Sequence, residues 1–240
     1  MTRLIEAVVE YNDGGYLIHA ANYVGAYVRG RTLGEATAKF PSEIRQYCKW
    51  ARNEAIVPDI EFKTRIVQQK LSELKICDAD TDVIFDTERD GISQSEYVAL
   101  KSLAIKSAKD FQALYDSVPD KDMTSLALRK TFYGDVPRTA SEMYVHTNRV
   151  TCYYGGEIGV VIDNLTNIAA NRENAFRCIE DTPNFLSNMV FDGSHNEQWS
   201  LRKVLRRFIW HDRIHARAMY RIAIATWNRA VIENPFFFTS

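Results

Sequence analysis

Two histidines four residues apart, His211 and His215, lie in a helical stretch and could bind one metal ion. The stretch runs from Ser200 to Trp227 without Gly or Pro, and Ser200 is a favourable N-cap residue. Imidazoles one turn apart on the same helix face commonly share a transition metal, whereas a single core histidine more often bonds to a protein partner. Both histidines lie on one apolar stripe, whose members are Leu201, Val204, Phe208, His211, His215, Ala218 and Ile222. The pair predicts a metal site, provided that a third ligand exists.

His146 is the candidate for that third ligand. A capping box at Thr139–Glu142 predicts the start of its helix, and His146 lies on the stripe of Met143, Val150, Tyr153 and Glu157. Three protein ligands and one open position are typical of a catalytic metal, whereas structural zinc usually has four ligands. We therefore predict that His146, His211 and His215 bind a divalent ion, with Zn²⁺ or Ni²⁺ expected. His19, in a predicted hairpin, and His195, in a polar loop, are weaker candidates.

The second half of the chain is predicted to be helical throughout. A capping box at Ser93–Glu96 predicts a helix that ends before Pro119, and a further helix is predicted between about Ile168 and Asp181. A short helix is expected at Thr124–Lys130. With the two histidine-bearing helices, this pattern predicts a four-helix bundle with a long connection, Phe185–Trp199, before the last helix.

The first half of the chain has a β-rich pattern. Two strands flank the turn Asn12–Gly15, and a third short strand is expected at Val24–Val28. Thr32 has capping-box spacing to a helix that extends to about Trp50 and is interrupted near Pro41. The predicted order is therefore β-β-β-α.

The apolar pattern of residues 59–87 completes the prediction of the fold class and the domains. Alternation of apolar residues favours a strand over Asp59–Gln69, and Asp82–Thr87 is expected to form a buried or edge strand. The chain is thus predicted to be α+β, with an α/β domain over residues 1–90 and an all-α four-helix bundle over residues 91–240.

Composition excludes several classes of protein. The formal charge of −1 favours neither nucleic acid nor a membrane surface as a partner, and the apolar runs are too short to cross a bilayer. Four widely spaced cysteines without a C-x-x-C pair are typical of reduced, mostly buried thiols. With no signal-peptide pattern at the N-terminus, these features predict a cytoplasmic protein.

The N-terminal segment resembles the HicB-type antitoxin domain, a small partial ribonuclease-H-like fold, over about residues 5–50. The resemblance consists of a Gly-Gly-Tyr hairpin and a Gly-x-Thr-Leu-x-Glu-Ala helix entry. It depends on Gly14, Gly15, Tyr16, Gly30, Thr32, Leu33, Glu35 and Ala36. The resemblance implies an interaction role, not ribonuclease activity.

The C-terminal part, about residues 93–238, resembles the DinB-like (DinB/YfiT) superfamily. Those proteins are four-helix bundles that hold a divalent metal with one histidine from the second helix and a His-x-x-x-His pair from the last helix. His146, His211 and His215 match that arrangement. Because family members include metal-dependent thiol S-transferases, the resemblance implies a similar enzyme here, with a low-molecular-weight thiol as a substrate.

Two other functions are kept open. The same metal could serve a hydrolase, or the protein could be a non-catalytic binding or regulatory protein whose HicB-like domain engages a partner. No catalytic residue is assigned, because Tyr153 and Glu157 are more simply read as supporting residues at the bundle end. The arginines off the histidine face are expected to be solvated; they are Arg206, Arg213, Arg217 and Arg221.

The apolar C-terminal tail, Phe236–Phe238, is expected to be buried. It could pack on the bundle or across a subunit interface, and in the second case the protein would be a homodimer.

Overall fold

A computed structural model describes residues 2–56, 59–131 and 134–239, and the N-terminal part forms a mixed four-stranded sheet. Its strands are β1 (Thr2–Asn12), β2 (Gly15–Ala20), β3 (Tyr27–Gly30) and β4 (Glu61–Leu71), in the order β3-β2-β1-β4. β1 and β2 form the predicted hairpin, and β4 pairs parallel to β1. The parallel pairing requires a crossover, which the helices between β3 and β4 provide.

The third strand begins later than predicted. Residues 21–26 form a tight loop in which the Ala20 amide donates to the Ala26 carbonyl, so the strand starts at Tyr27 instead of Val24. Gly25 in this loop has φ +92°, and a Cβ there would lie 2.4 Å from Cγ2 of Ile209. The loop therefore needs glycine both for its backbone conformation and for this close contact.

The helix after β3 is interrupted as predicted. Thr32 caps α1 (Leu33–Thr37) by accepting the Glu35 amide, and α2 (Phe40–Arg52) then starts with Pro41 in its first turn. Proline has no amide proton and suits that position, so it restarts the helix instead of ending it. Apolar residues of α2 join those of the sheet in one core.

The predicted strand at Asp82–Thr87 does not form. The segment has no strand pairing and ends in a short 3-10 turn, Asp86–Glu88. The amides of Asp82 and Val83 donate to the buried carboxylate of Glu10 on β1 instead of to a strand. A side chain thus replaces the backbone partner that a strand would have needed.

Four long helices follow, and their predicted starts are confirmed. Ser93, Thr139 and Ser200 each accept a backbone amide of the first turn. The helices are α3 (Gln94–Ser117), α4 (Ala140–Gly156), α5 (Ile168–Glu180) and α6 (Leu201–Thr226). Both α3 and α4 contact α5 and α6, so each of these helices lies against two of the others.

The connections between these helices contain little regular structure. Two short ladders join β5 (Lys130–Thr131) to β6 (Gly134–Asp135), and β7 (Phe191–Asp192) to β8 (Gln198–Trp199). The prediction of a short helix at Thr124–Lys130 is wrong. The Thr124 hydroxyl accepts the Leu126 amide and donates to the Arg138 carbonyl, which holds the chain in a turn.

The arginines of α6 correct another expectation. Arg206 and Arg213 are buried, not solvated, and they pair with Glu88 and Glu43 of the N-terminal half. Arg217 is half-buried and pairs with Glu43 as well, and of the four only Arg221 is exposed. The polar face of α6 is therefore an internal interface, and α6 lies between the other long helices and the N-terminal half.

One apolar core joins the two halves of the chain. It includes Ile5, Ile44, Phe111, Phe176 and Phe208, which come from the sheet, α2, α3, α5 and α6. Because this core includes residues from both sides of residue 91, it does not mark a domain boundary there. The domain boundary at residue 91 stays a prediction.

Two of the three phenylalanines of the C-terminal tail are buried as expected, and the third is exposed. Phe236 and Phe238 are almost inaccessible and stack on each other, and Phe236 also contacts Trp50 of α2. Phe237 is 39% exposed.

The cysteines have no disulfide among the described residues. Cys48 is buried, whereas Cys152 and Cys178 are partly exposed, and all three are free. The side chain of Cys77 lies outside the described part of the chain. No helix that the structure describes combines the length and apolarity needed to cross a membrane.

Candidate metal centre

The structure brings His146, His211 and His215 together between α4 and α6. Nε2 of His211 lies 3.2 Å from Nε2 of His146 and 3.2 Å from Nε2 of His215. One ring nitrogen from each of the three residues lies within 4.8 Å of the other two. The group could therefore hold a metal ion. In the described part of the chain it is the one His, Cys, Asp or Glu cluster with this geometry.

Protons alone cannot satisfy both short contacts of His211. An imidazole nitrogen carries either one proton, which it can donate, or one lone pair, which can accept. Nε2 of His211 therefore bonds to one neighbour and meets the other without a matching donor or acceptor. A cation among the three nitrogens accepts a lone pair from each of them, and this removes the conflict.

The spacing of the nitrogens agrees with that interpretation. Two imidazole nitrogens about 2.1 Å from one tetrahedral ion lie roughly 3.4 Å apart. The two measured separations of 3.2 Å are close to this value. Three neutral nitrogen donors suit Zn²⁺ and Ni²⁺ better than Mg²⁺ or Ca²⁺, which prefer oxygen.

The surroundings keep all three rings neutral. Burial lowers the pKa of His146 below its ordinary value. Burial lowers the pKa of His211 and His215 much further, and the neighbouring histidines add to the effect. A neutral imidazole is the form that binds a metal, so the site is ready to accept a cation at neutral pH.

One feature of a typical metal site is missing around His211. Metal-bound histidines usually donate their second N–H to a protein acceptor, but Nδ1 of His211 is buried without a partner among the described residues. The adjacent Asp212 does not serve this purpose. Its carboxylate faces away and binds Arg172 and Ser107, which joins α6 to α5 and α3.

A cleft of about 630 Å³ opens next to the three histidines. Its walls come from α4, α6, residues 74–82 and residues 195–197. Residues 74–82 belong to the N-terminal half, so both halves of the chain form the site. The sequence pattern gave this segment no part in the predicted metal site. No local pattern reveals that it covers the site, because that placement depends on the contacts of Glu10 and of α6.

Tyr153 and Glu157, on the same stripe as His146, have different positions. Tyr153 lines the cleft and is 38% exposed. Burial, followed by the charge of Glu157, raises the pKa of Tyr153, so its hydroxyl stays protonated. Glu157 is buried at the end of α4 and accepts the Ser194 amide at 2.7 Å, which places it in support of the 194–197 loop.

The two other histidines do not join the cluster. His19 is buried, and its Nε2 lies 3.2 Å from the carboxylate of Glu10. His195 is exposed, but it lines the same cleft. None of the charged residues of the cleft, which include Asp80 and Arg207, was predicted from the sequence. Arg207 precedes His211 by one helical turn, which is the one local signal that could have indicated it.

The chain was compared with protein-family models, with curated proteins and with solved structures, and none of them matches it.

Proposed function

We propose that the protein is a divalent-metal-dependent enzyme of the thiol S-transferase type, with Zn²⁺ or Ni²⁺ bound by His146, His211 and His215. The observation that carries this proposal is the double 3.2 Å contact of Nε2 of His211, which a cation satisfies and protons do not. The adjacent cleft supports catalysis over a structural role, because it leaves room for a substrate beside the ligands.

The DinB-like resemblance supports the same proposal. Each of α3, α4, α5 and α6 contacts two of the others, and these contacts support the four-helix bundle that is part of the proposal. The three histidines come from the second and the last of these helices, in the order of the DinB-like pattern. The resemblance of residues 5–50 to a HicB-like domain is part of the proposal as well, with β1–β3 and α1 carrying it.

A divalent ion at this site would act as a Lewis acid and lower the pKa of a thiol, so that thiolate forms at neutral pH. The three neutral imidazoles would hold the ion. The walls of the cleft, which include Tyr153, Tyr154 and Trp210, would limit access of water to the thiol. The protonated Tyr153 hydroxyl shares a hydrogen bond with Glu157, so its oxygen can accept a hydrogen bond from a substrate in the cleft.

Metal content is the first test of this proposal. The purified full-length protein is expected to bind one Zn²⁺ or Ni²⁺ per chain, measured by elemental analysis after reconstitution and desalting. His146→Ala, His211→Ala and His215→Ala should each lose most of the bound metal, because two ligands remain. His195→Ala is the matched control, since this exposed histidine lines the same cleft but lies outside the cluster. Absence of bound metal in the unsubstituted protein would refute the proposal.

Activity is the second test. The metal-loaded protein is expected to transfer low-molecular-weight thiols to an electrophile such as 1-chloro-2,4-dinitrobenzene, followed by its absorbance, and the three histidine variants should not. Hydrolysis of ester or amide substrates by the loaded protein without thiol transfer would favour the metal-dependent hydrolase. Metal binding with neither activity would favour a binding or regulatory role.

A further inference from the structure

The charged side chains that line the cleft beside the histidines divide into paired and unpaired groups. Three carboxylates of the cleft each form an ion pair with a Lys or Arg that is not part of the cleft lining. The pairs are Asp78 with Arg129 at 2.5 Å, Asp82 with Lys70 at 2.6 Å, and Glu197 with Lys203 at 2.8 Å. Asp80 and Arg207 are the two that remain. Within the described residues neither forms an ion pair, with the other or with any further group.

Asp80 is a buried carboxylate that has no ion-pair partner in the part of the chain that the structure describes. Its residue is 9% exposed, and its Oδ2 is buried without a hydrogen bond from the described residues. Buried carboxylates are normally paired or hydrogen-bonded, because an isolated buried charge is costly. The unpaired Oδ2 therefore suits a cationic group of a ligand.

Arg207 is held in place and forms no ion pair with a described residue, although the Tyr154 hydroxyl and the charge of Glu197 lie near it. Its guanidinium lies 5.0 Å from the ring centroid of Trp210 and 5.4 Å from that of Tyr154. One nitrogen donates to the Thr81 carbonyl at 2.8 Å, while Nε is buried without a partner. A fixed guanidinium with free donors is well suited to bind a carboxylate.

We propose that this cleft recognises a zwitterionic ligand of the α-amino-acid type, whose carboxylate binds Arg207 and whose ammonium group binds Asp80. Two opposite charges that face one cleft without pairing match a ligand that carries both charges. Because Arg207 lies one turn before His211 on α6, a short side chain of such a ligand extends toward the histidines. If the proposed function holds, that side chain carries the thiol; this last point alone rests on the proposed function.

Three small thiols can test the proposed contacts of Arg207 and Asp80 separately. L-cysteine carries both charges, 3-mercaptopropionate has only the carboxylate, and cysteamine has only the ammonium group. Their affinities for the full-length protein are measured by isothermal titration calorimetry, once after loading with Zn²⁺ and once after treatment with chelator. We expect L-cysteine to bind at least about tenfold more tightly than either of the others in both states, since each charged contact adds to affinity.

Two substitutions should give opposite patterns. Asp80→Asn keeps the shape of the side chain and should lower the affinities for L-cysteine and cysteamine, but not for 3-mercaptopropionate. Arg207→Met keeps the packing on the aromatic rings and should lower the affinities for L-cysteine and 3-mercaptopropionate, but not for cysteamine. If Arg207→Met does not fold, Arg207→Lys replaces it, with a smaller loss for the same two probes. Arg221→Met removes the same charge from an exposed residue of α6 outside the cleft lining and should change none of the three affinities.

The outcomes distinguish this inference from the proposed function. One outcome is that the two substitutions give their opposite patterns in chelator-treated protein while the protein binds no metal. This outcome would support the zwitterion site and refute the metal enzyme. Metal binding at the histidines with equal effects of both substitutions on all three probes would overturn the zwitterion site. Absence of L-cysteine binding in both metal states would overturn it as well.

Discussion

Acid should destabilise the metal-free protein through the three clustered histidines. Above the ordinary histidine pKa of about 6.5 both the folded and the unfolded chain hold neutral rings, and the histidines contribute nothing to pH dependence. Below it the unfolded chain binds protons that the folded chain does not, because burial lowers the pKa of His146, His211 and His215 in the fold. The free energy of unfolding therefore falls as the pH decreases below about 6.5.

The size of this loss follows from proton linkage. At pH 5.5 each histidine that stays neutral in the fold costs about 1.4 kcal/mol relative to high pH. Three such histidines cost up to about 4 kcal/mol, a large part of the roughly 5–15 kcal/mol by which domains are stable. His19 has a lowered pKa as well, but it is the same in all the variants compared, so its effect cancels.

The assay is urea denaturation of chelator-treated protein at pH 7.5 and pH 5.5, followed by circular dichroism. Each of His146→Gln, His211→Gln and His215→Gln should reduce the loss between the two pH values by up to about 1.4 kcal/mol, and the triple variant by the sum of these amounts. His195→Ala, which alters an exposed residue, should leave the loss unchanged. Equal losses for the unsubstituted protein and the triple variant would show that the buried histidines are not the cause.

Two further predictions concern the contacts that position the site, both measured by urea unfolding at pH 7.5. Phe236→Ala should lower the free energy of unfolding by about 3–5 kcal/mol, because its ring is fully buried. Phe237→Ala, at an exposed position, should lower it by less than about 1 kcal/mol. Equal losses for the two variants would contradict the packing of the tail. Glu43→Gln should cost about 3 kcal/mol or more because it leaves Arg213 buried without its counter-charge, and a loss below about 1 kcal/mol would contradict that pairing.

Much of the local structure could be predicted because its causes are local. The starts of α3, α4 and α6 depend on Ser93, Thr139 and Ser200, which accept amides only three residues away. The hairpin depends on a turn whose residues are contiguous, and Pro41 interrupts a helix by its own covalent structure. Such features need no knowledge of distant parts of the chain.

Two of the predictions that were wrong involve distant partners. Asp82–Thr87 has the composition of a strand, but Glu10, about seventy residues away, binds the amides of Asp82 and Val83. Arg206 and Arg213 have the spacing of a solvated ridge, but Glu88 and Glu43 bury them. Burial of a charged side chain normally requires a partner, and the partner cannot be read from the local pattern.

The sequence by itself determined that His211 and His215 share one helix face and that His146 lies on the apolar stripe of another helix, because helical periodicity sets both. Only the tertiary structure decided that the three nitrogens meet, with two separations of 3.2 Å, since that depends on how α4 packs on α6. It also decided that residues 74–82 line the cleft and that Asp80 and Arg207 face it without an ion pair to any residue the structure describes. These features arise from contacts between segments far apart in the chain, where packing and desolvation, not local spacing, determine the position and charge of each side chain.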